Sequence, residues 1–166
     1  MIPGSESRCY NGPSPCIGDC TLACPFFMPT QQLMDGWLHP SRLPLGSGWS
    51  GTCCAEPDPY TPSETELRTF CNLGYAAGCP HLPQERSWDA VRFSVSRDRG
   101  SKLQLWFICE AGHRPAAHGQ LEYDCELSRW TVPHTDSRVQ KMAECYVQSY
   151  LSRRPSAAAV ESSSNL

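Results

Sequence analysis

Eleven cysteines in 166 residues are the groups on this chain best suited to chemistry. Thiolates are soft anionic ligands for zinc and iron–sulfur centres, and oxidised in pairs they become disulfides. Disulfides need an oxidising compartment. The opening MIPGSESRCYNGPSPC has neither the basic region nor the apolar run of a secretory leader. An odd cysteine count also leaves at least one thiol unpaired. The expectation is therefore a reducing compartment, the cytoplasm, with thiols free to bind metal.

Six cysteines compete for the ligand role: Cys20, Cys24, Cys53, Cys54, Cys71 and Cys79. Soft ligands on non-repetitive stretches, interleaved with Phe26, Phe27, Trp49, Phe70 and Tyr75, describe a centre shielded from water. The expected set is Cys24, Cys54, Cys71 and Cys79, with Cys20, Cys53 and His81 in reserve. His81 would give a site of three cysteines and one histidine. Structural zinc usually takes paired Cys-x2-Cys or Cys-x4-Cys knuckles, and no Cys-x2-Cys pair occurs here. A cubane draws its sulfurs from more widely separated segments, so the spacing points to one [4Fe–4S] cluster, with zinc the alternative. Cys24 and Cys79 are each followed by proline, which resembles ferredoxin-type ligation at those two positions. Cys16, Cys20 and Cys24 resemble the triplet of radical-type clusters, but the spacing is three and three instead of three and two. Cys9 and Cys16 receive no role. Cys109 reads as a small buried hydrophobe, Cys125 as an ordinary thiol near a turn, and Cys145 as lying on the polar side of its helix, either exposed or touching a second element.

Glu110, His113 and His118 share the stretch EAGHRPAAH, read as a polar surface loop whose other use would be acid–base or metal chemistry. No nucleophile elbow, phosphate loop, dinucleotide fingerprint or His-Glu-x-x-His helix is present. The 14 Lys and Arg against 17 Asp and Glu leave no basic excess for nucleic acid. The longest apolar runs, such as LQLWFI, are too short to span a bilayer. These observations leave a small metal-binding protein, passing electrons or serving a redox assembly through a protein partner. The alternative is a non-catalytic interaction module held by zinc.

The elements that must position the ligands follow from periodicity and punctuation. Residues 1–15 read as a flexible arm and 154–166 as a disordered tail, around one metal-stabilised domain over 16–153. Within it, 16–88 form a cysteine-rich irregular lobe and 89–153 a sheet plus helix. Residues 16–54 keep no period for more than a few positions. Thr61 or Ser63 caps one short helix through Thr-x-x-Glu or Ser-x-x-Glu, with Leu67, Phe70 and Cys71 on its inner stripe and Gly74 as its stop. Val91, Phe93 and Val95 alternate in one strand, KLQLWFICE and QLEYD supply others, and a short strand surrounds Trp130. A helix over 136–151, capped by Thr135 or Asp136, carries Val139, Met142, Ala143, Tyr146, Val147 and Tyr150 on one face. The fold class is α+β: a small antiparallel meander with a C-terminal helix and an irregular lobe containing one short helix.

Overall fold

Alternating apolar residues build most of the computed structural model, which describes residues 22–76 and 78–155. The chain forms β1 (Phe27–Leu33), β2 (Gly48–Cys53), the short helix α1 (Glu64–Glu66), β3 (Ala90–Asp98), β4 (Lys102–Ala111), β5 (Arg114–Asp124), β6 (Arg129–Val132) and α2 (Ser137–Arg153). A π-helical turn, Leu67–Cys71, continues α1. β3 to β6 make a four-stranded antiparallel meander in sequence order, and β1 pairs with β2 in a separate two-stranded sheet. The fold is α+β, as the periodicities predict. The arm 1–15, Cys9, Cys16, Cys20 and the tail beyond Pro155 lie outside the described residues.

The inward positions of the meander are the alternating ones: Val91 and Phe93 on β3, Leu103, Leu105 and Cys109 on β4, and Leu121 on β5, all buried. α2 covers them with Val139, Met142 and Ala143. Asp136 starts the helix, its Oδ1 accepting the N–H of Arg138 at 2.8 Å and of Val139 at 3.4 Å. α2 packs against β1 as well as β3, so it buries two sides rather than one. That is why Cys145, on the side expected to be polar, is only 3% exposed, and why Ser149 is buried beside Gly46.

Two stretches read as irregular are strands. In 16–54, Pro29 and the glycines hide the β1–β2 pairing; Pro29 sits at a register shift, where a missing N–H costs the ladder little. In 111–119 the expected loop shrinks to Gly112 and His113, with φ of 55° and 61° between the paired Ala111 and Arg114. Two positive φ values make the mirror-image two-residue turn that suits strand twist, and His is one of the side chains that tolerates this region. Pro115 again lies beside a bulge. Among the described residues no helix is long and apolar enough to cross a membrane.

Candidate metal centre

Four stretches bring a thiol to one place. Ala23 is bridged to the edge of β3, its N–H donating to Val91 O at 2.5 Å and its carbonyl accepting the Val91 N–H at 2.9 Å, and this fixes Cys24. Cys53 ends β2 on its buried face and is bridged to Tyr60, with N–H to O distances of 2.8 and 3.2 Å. Cys71 closes the π-helical turn, where the Asn72 N–H reaches back five residues to Leu67 O at 3.2 Å. Such turns recur at functional sites because they re-aim a side chain within a helix. Cys79 follows a tight turn in which its N–H donates to Ala76 O at 2.8 Å.

Cys24, Cys53, Cys71 and Cys79 line a single narrow pocket together with Phe26, Phe27, Tyr60, Phe70, Leu82 and His81. Its free volume is about 10 Å³, room for one water-sized sphere. Among the described residues no three His, Cys, Asp or Glu side chains stand close enough to hold a single metal ion as placed. Cys71 nonetheless senses its neighbours. Burial pushes Cys71 up to about 12, and Cys24, Cys53 and Cys79 add to the shift. Burial also raises Cys24 to about 11, opposed by hydrogen bonds from the backbone N–H groups of Phe26 and Phe27. Cys53 is raised by burial and eased by the Ala55 N–H and the Tyr60 hydroxyl. Without a positive guest the pocket favours neutral thiols, although two of its sulfurs already face donors that stabilise thiolate.

Of the expected set, Cys24, Cys71 and Cys79 reach the cavity. The fourth sulfur lining it belongs to Cys53, a reserve. Cys54 is half-buried and is not among the lining residues; its N–H holds Phe26 O at 2.8 Å. Adjacent residues at a strand end face opposite ways, which separates the pair. His81 joins the wall, its Nδ1 3.3 Å from Glu56 Oε1 and its Nε2 3.3 Å from Glu66 Oε1, and its ring lies 4.6 Å from that of Tyr60. Burial drives the Tyr60 pKa up, helped by Cys53 and Glu66.

Three residues support the site, of which Asn72 carried no signal in the sequence, while Gly74 read as a helix stop and Tyr75 as part of the aromatic shield. Asn72 is buried and brackets Trp49: its Oδ1 accepts the Trp49 N–H and its Nδ2 donates to Trp49 O, both at 2.9 Å. This side-chain rung fixes the end of the Cys71 turn against the strand that ends in Cys53. Gly74 turns the chain at φ 65°, with Leu22 O so near that a Cβ would lie 1.6 Å from it. Tyr75 ties the segment to the sheet, its hydroxyl donating to the buried Glu110 at 2.7 Å while its ring stacks on His113 at 4.3 Å. Glu110 and His113 are thus parts of a lobe-to-sheet clasp, whereas His118 stands in β5 with its ring 6.0 Å from that of Trp106. Cys109 is fully buried in the sheet core, as expected of a small hydrophobe, and Cys125 lies 4.0 Å from Arg154 Nη1. No protein family profile matches the chain, and no curated protein or solved structure matches it either.

Proposed function

We propose that Cys24, Cys53, Cys71 and Cys79 hold one [4Fe–4S] cluster, and that the protein passes single electrons or serves as an accessory subunit of a cytoplasmic redox assembly, acting on a protein partner rather than nucleic acid. The observation that carries this reading is the convergence of four thiols from four separate stretches on one aromatic-walled pocket. Hydrogen bonds to ligand sulfurs are one lever that sets cluster potentials, and Cys24 and Cys53 both receive them. Loading a cubane requires the thiols to swing outward from the 10 Å³ space they now enclose.

That small volume favours the second reading, a structural zinc on the same four thiols that only ties the lobe together. Elemental and sulfide analysis of anaerobically purified protein separates the two. Brown protein with iron and acid-labile sulfide at four each per chain supports the cluster. Colourless protein with one zinc per chain supports the alternative. Protein that binds neither after anaerobic reconstitution removes both.

A further inference from the structure

Tyr60 has one hydroxyl proton and two acceptors within reach, the Cys53 sulfur and the Glu66 carboxylate. It is bridged to Cys53 in antiparallel register, which puts the two side chains on one face, and both line the thiol pocket. Its hydroxyl lies 3.3 Å from Glu66 Oε1. A bond between a hydroxyl and an oxygen is usually about 2.7–2.8 Å, so this one is long and weakly held. Glu66 does not depend on it. Its Oε2 accepts the Ser63 N–H and the Ser63 hydroxyl, both at 2.7 Å, and its Oε1 also stands 3.3 Å from His81 Nε2. The Glu66 side chain is 25% exposed, so water can fill the place that Tyr60 leaves. In the metal-free pocket Cys53 keeps its proton, because burial disfavours the thiolate. A neutral thiol is a weak acceptor, and the hydroxyl is then better spent on the carboxylate. Ligation takes the thiol proton away and leaves a sulfur carrying negative charge, which accepts strongly.

We propose that Tyr60 positions a ligand of the metal centre put forward above, on which this inference rests: as metal enters, its O–H turns from Glu66 Oε1 to Cys53 Sγ and holds that sulfur in place. The thiol proton leaves to solvent, the sulfur–metal bond replaces the sulfur–hydrogen bond, and one hydrogen bond is exchanged for another. No electron moves. Tyr60 is thus a positioning residue acting through Cys53, and Glu66 is the competitor for its proton. The two side chains therefore act on the metal in opposite senses. Removing an outer partner of a ligand typically costs about tenfold to a hundredfold in metal affinity. A donor to a ligand sulfur also stabilises the more negative, reduced state of a cluster and so raises its potential.

The test compares wild type, Tyr60→Phe and Glu66→Gln as full chains purified anaerobically with their metal. Tyr60→Phe keeps the ring and loses the donor. Glu66→Gln keeps the capping geometry with Ser63, since glutamine serves that position as glutamate does, and makes the competing acceptor neutral. The readouts are the rate at which excess EDTA strips the metal and, for a cluster, the reduction potential by voltammetry. Tyr60→Phe should lose its metal about tenfold faster or more, at a potential below wild type. Glu66→Gln should lose it more slowly, at a potential above wild type. Zinc-loaded protein is read by the stripping rate alone. Tyr60→Phe that matches wild type in every readout overturns the proposal and leaves the metal centre standing. So do two variants that shift in the same direction, the mark of a merely structural contact. Wild type that takes up no metal overturns the metal centre and the role of Tyr60 together.

Discussion

Replacing Asn72 by alanine tests whether the rung between the Cys71 turn and β2 matters as much as its geometry says. Asn72 is 5% exposed and Trp49 is 2% exposed, so water cannot replace the lost partners. Two backbone groups are orphaned, the Trp49 N–H and the Trp49 carbonyl. Leu67 O also loses the Asn72 Nδ2, at 3.1 Å, but keeps the Asn72 backbone N–H at 3.2 Å. At about 1–3 kcal/mol for each unsatisfied buried group, the cost is about 2–6 kcal/mol. That is a large share of the roughly 5–15 kcal/mol by which a domain is stable. Urea unfolding of metal-free wild type and Asn72→Ala measures it. Asn72→Asp separates the two halves of the rung. It keeps the acceptor for the Trp49 N–H and loses the donor to Trp49 O. It also buries a carboxylate against carbonyls, which raises its pKa when folded, so the variant should gain stability as pH falls through that raised value. A loss below about 1 kcal/mol for Asn72→Ala, or an Asn72→Asp variant indifferent to acid, would refute the reasoning.

Cys53→Ser should abolish metal retention while Cys54→Ser leaves metal content unchanged, because only Cys53 lines the cavity; elemental analysis of both purified variants checks this. Gly74→Ala should destabilise by more than about 1 kcal/mol in thermal or chemical unfolding, since its φ of 65° is strained for alanine and its Cβ would strike Leu22 O. Metal-free protein should lose stability in alkali. Its folded thiols are raised, to about 11 for Cys24 and about 12 for Cys71, so the unfolded chain gives up protons first. The contribution is intact below the ordinary thiol value of about 8.5 and fades as pH climbs through 11 and 12. Bound metal fixes these sulfurs as thiolates, and the loaded protein should show a shallower slope that Cys109, near 11, and Cys145, near 12, still contribute. Equal slopes with and without metal would contradict this.

Long, clean periodicities were legible: the Val91–Phe93–Val95 alternation is β3, and the Val139–Met142–Ala143 stripe faces the sheet core. The capping signal near residue 61 was legible but two-valued. The structure takes the second register, with Ser63 accepting the Glu66 N–H at 3.3 Å and Glu66 accepting the Ser63 N–H at 2.7 Å. β1 was illegible because its buried positions include Pro29 and its partner strand carries glycine at two of six positions, Gly48 and Gly51. The identity of the fourth sulfur was illegible for a sharper reason. Cys53 and Cys54 are chemically equal in sequence, and only the face on which β2 ends separates them. The stripe of α2 leaves Cys145 open between exposure and contact with a second element; the structure gives the contact, because α2 packs against β1 as well as β3.

Regular structure and thiols divide the chain between them in a way that gives the cavity its meaning. Past residue 88 most elements are long, with strands of 9, 10 and 11 residues, a fourth of 4 residues and a helix of 17, and ladders and packing suffice to hold them. Before it, the strands have 7 and 6 residues, the helix and its π-helical turn 3 and 5, and loops connect them. Such pieces close few backbone hydrogen bonds per residue ordered, and ordering each residue costs about 1–2 kcal/mol of backbone entropy. The buried thiols of Cys24, Cys53 and Cys71 bring these short pieces to one point, against a core cluster that continues through Val91 and Leu105 into the sheet. On the proposed function, a guest that bound sulfurs from all four stretches would recover in ligation what the short ladders cannot supply. For such a site, metal-binding free energy and folding free energy are the same quantity.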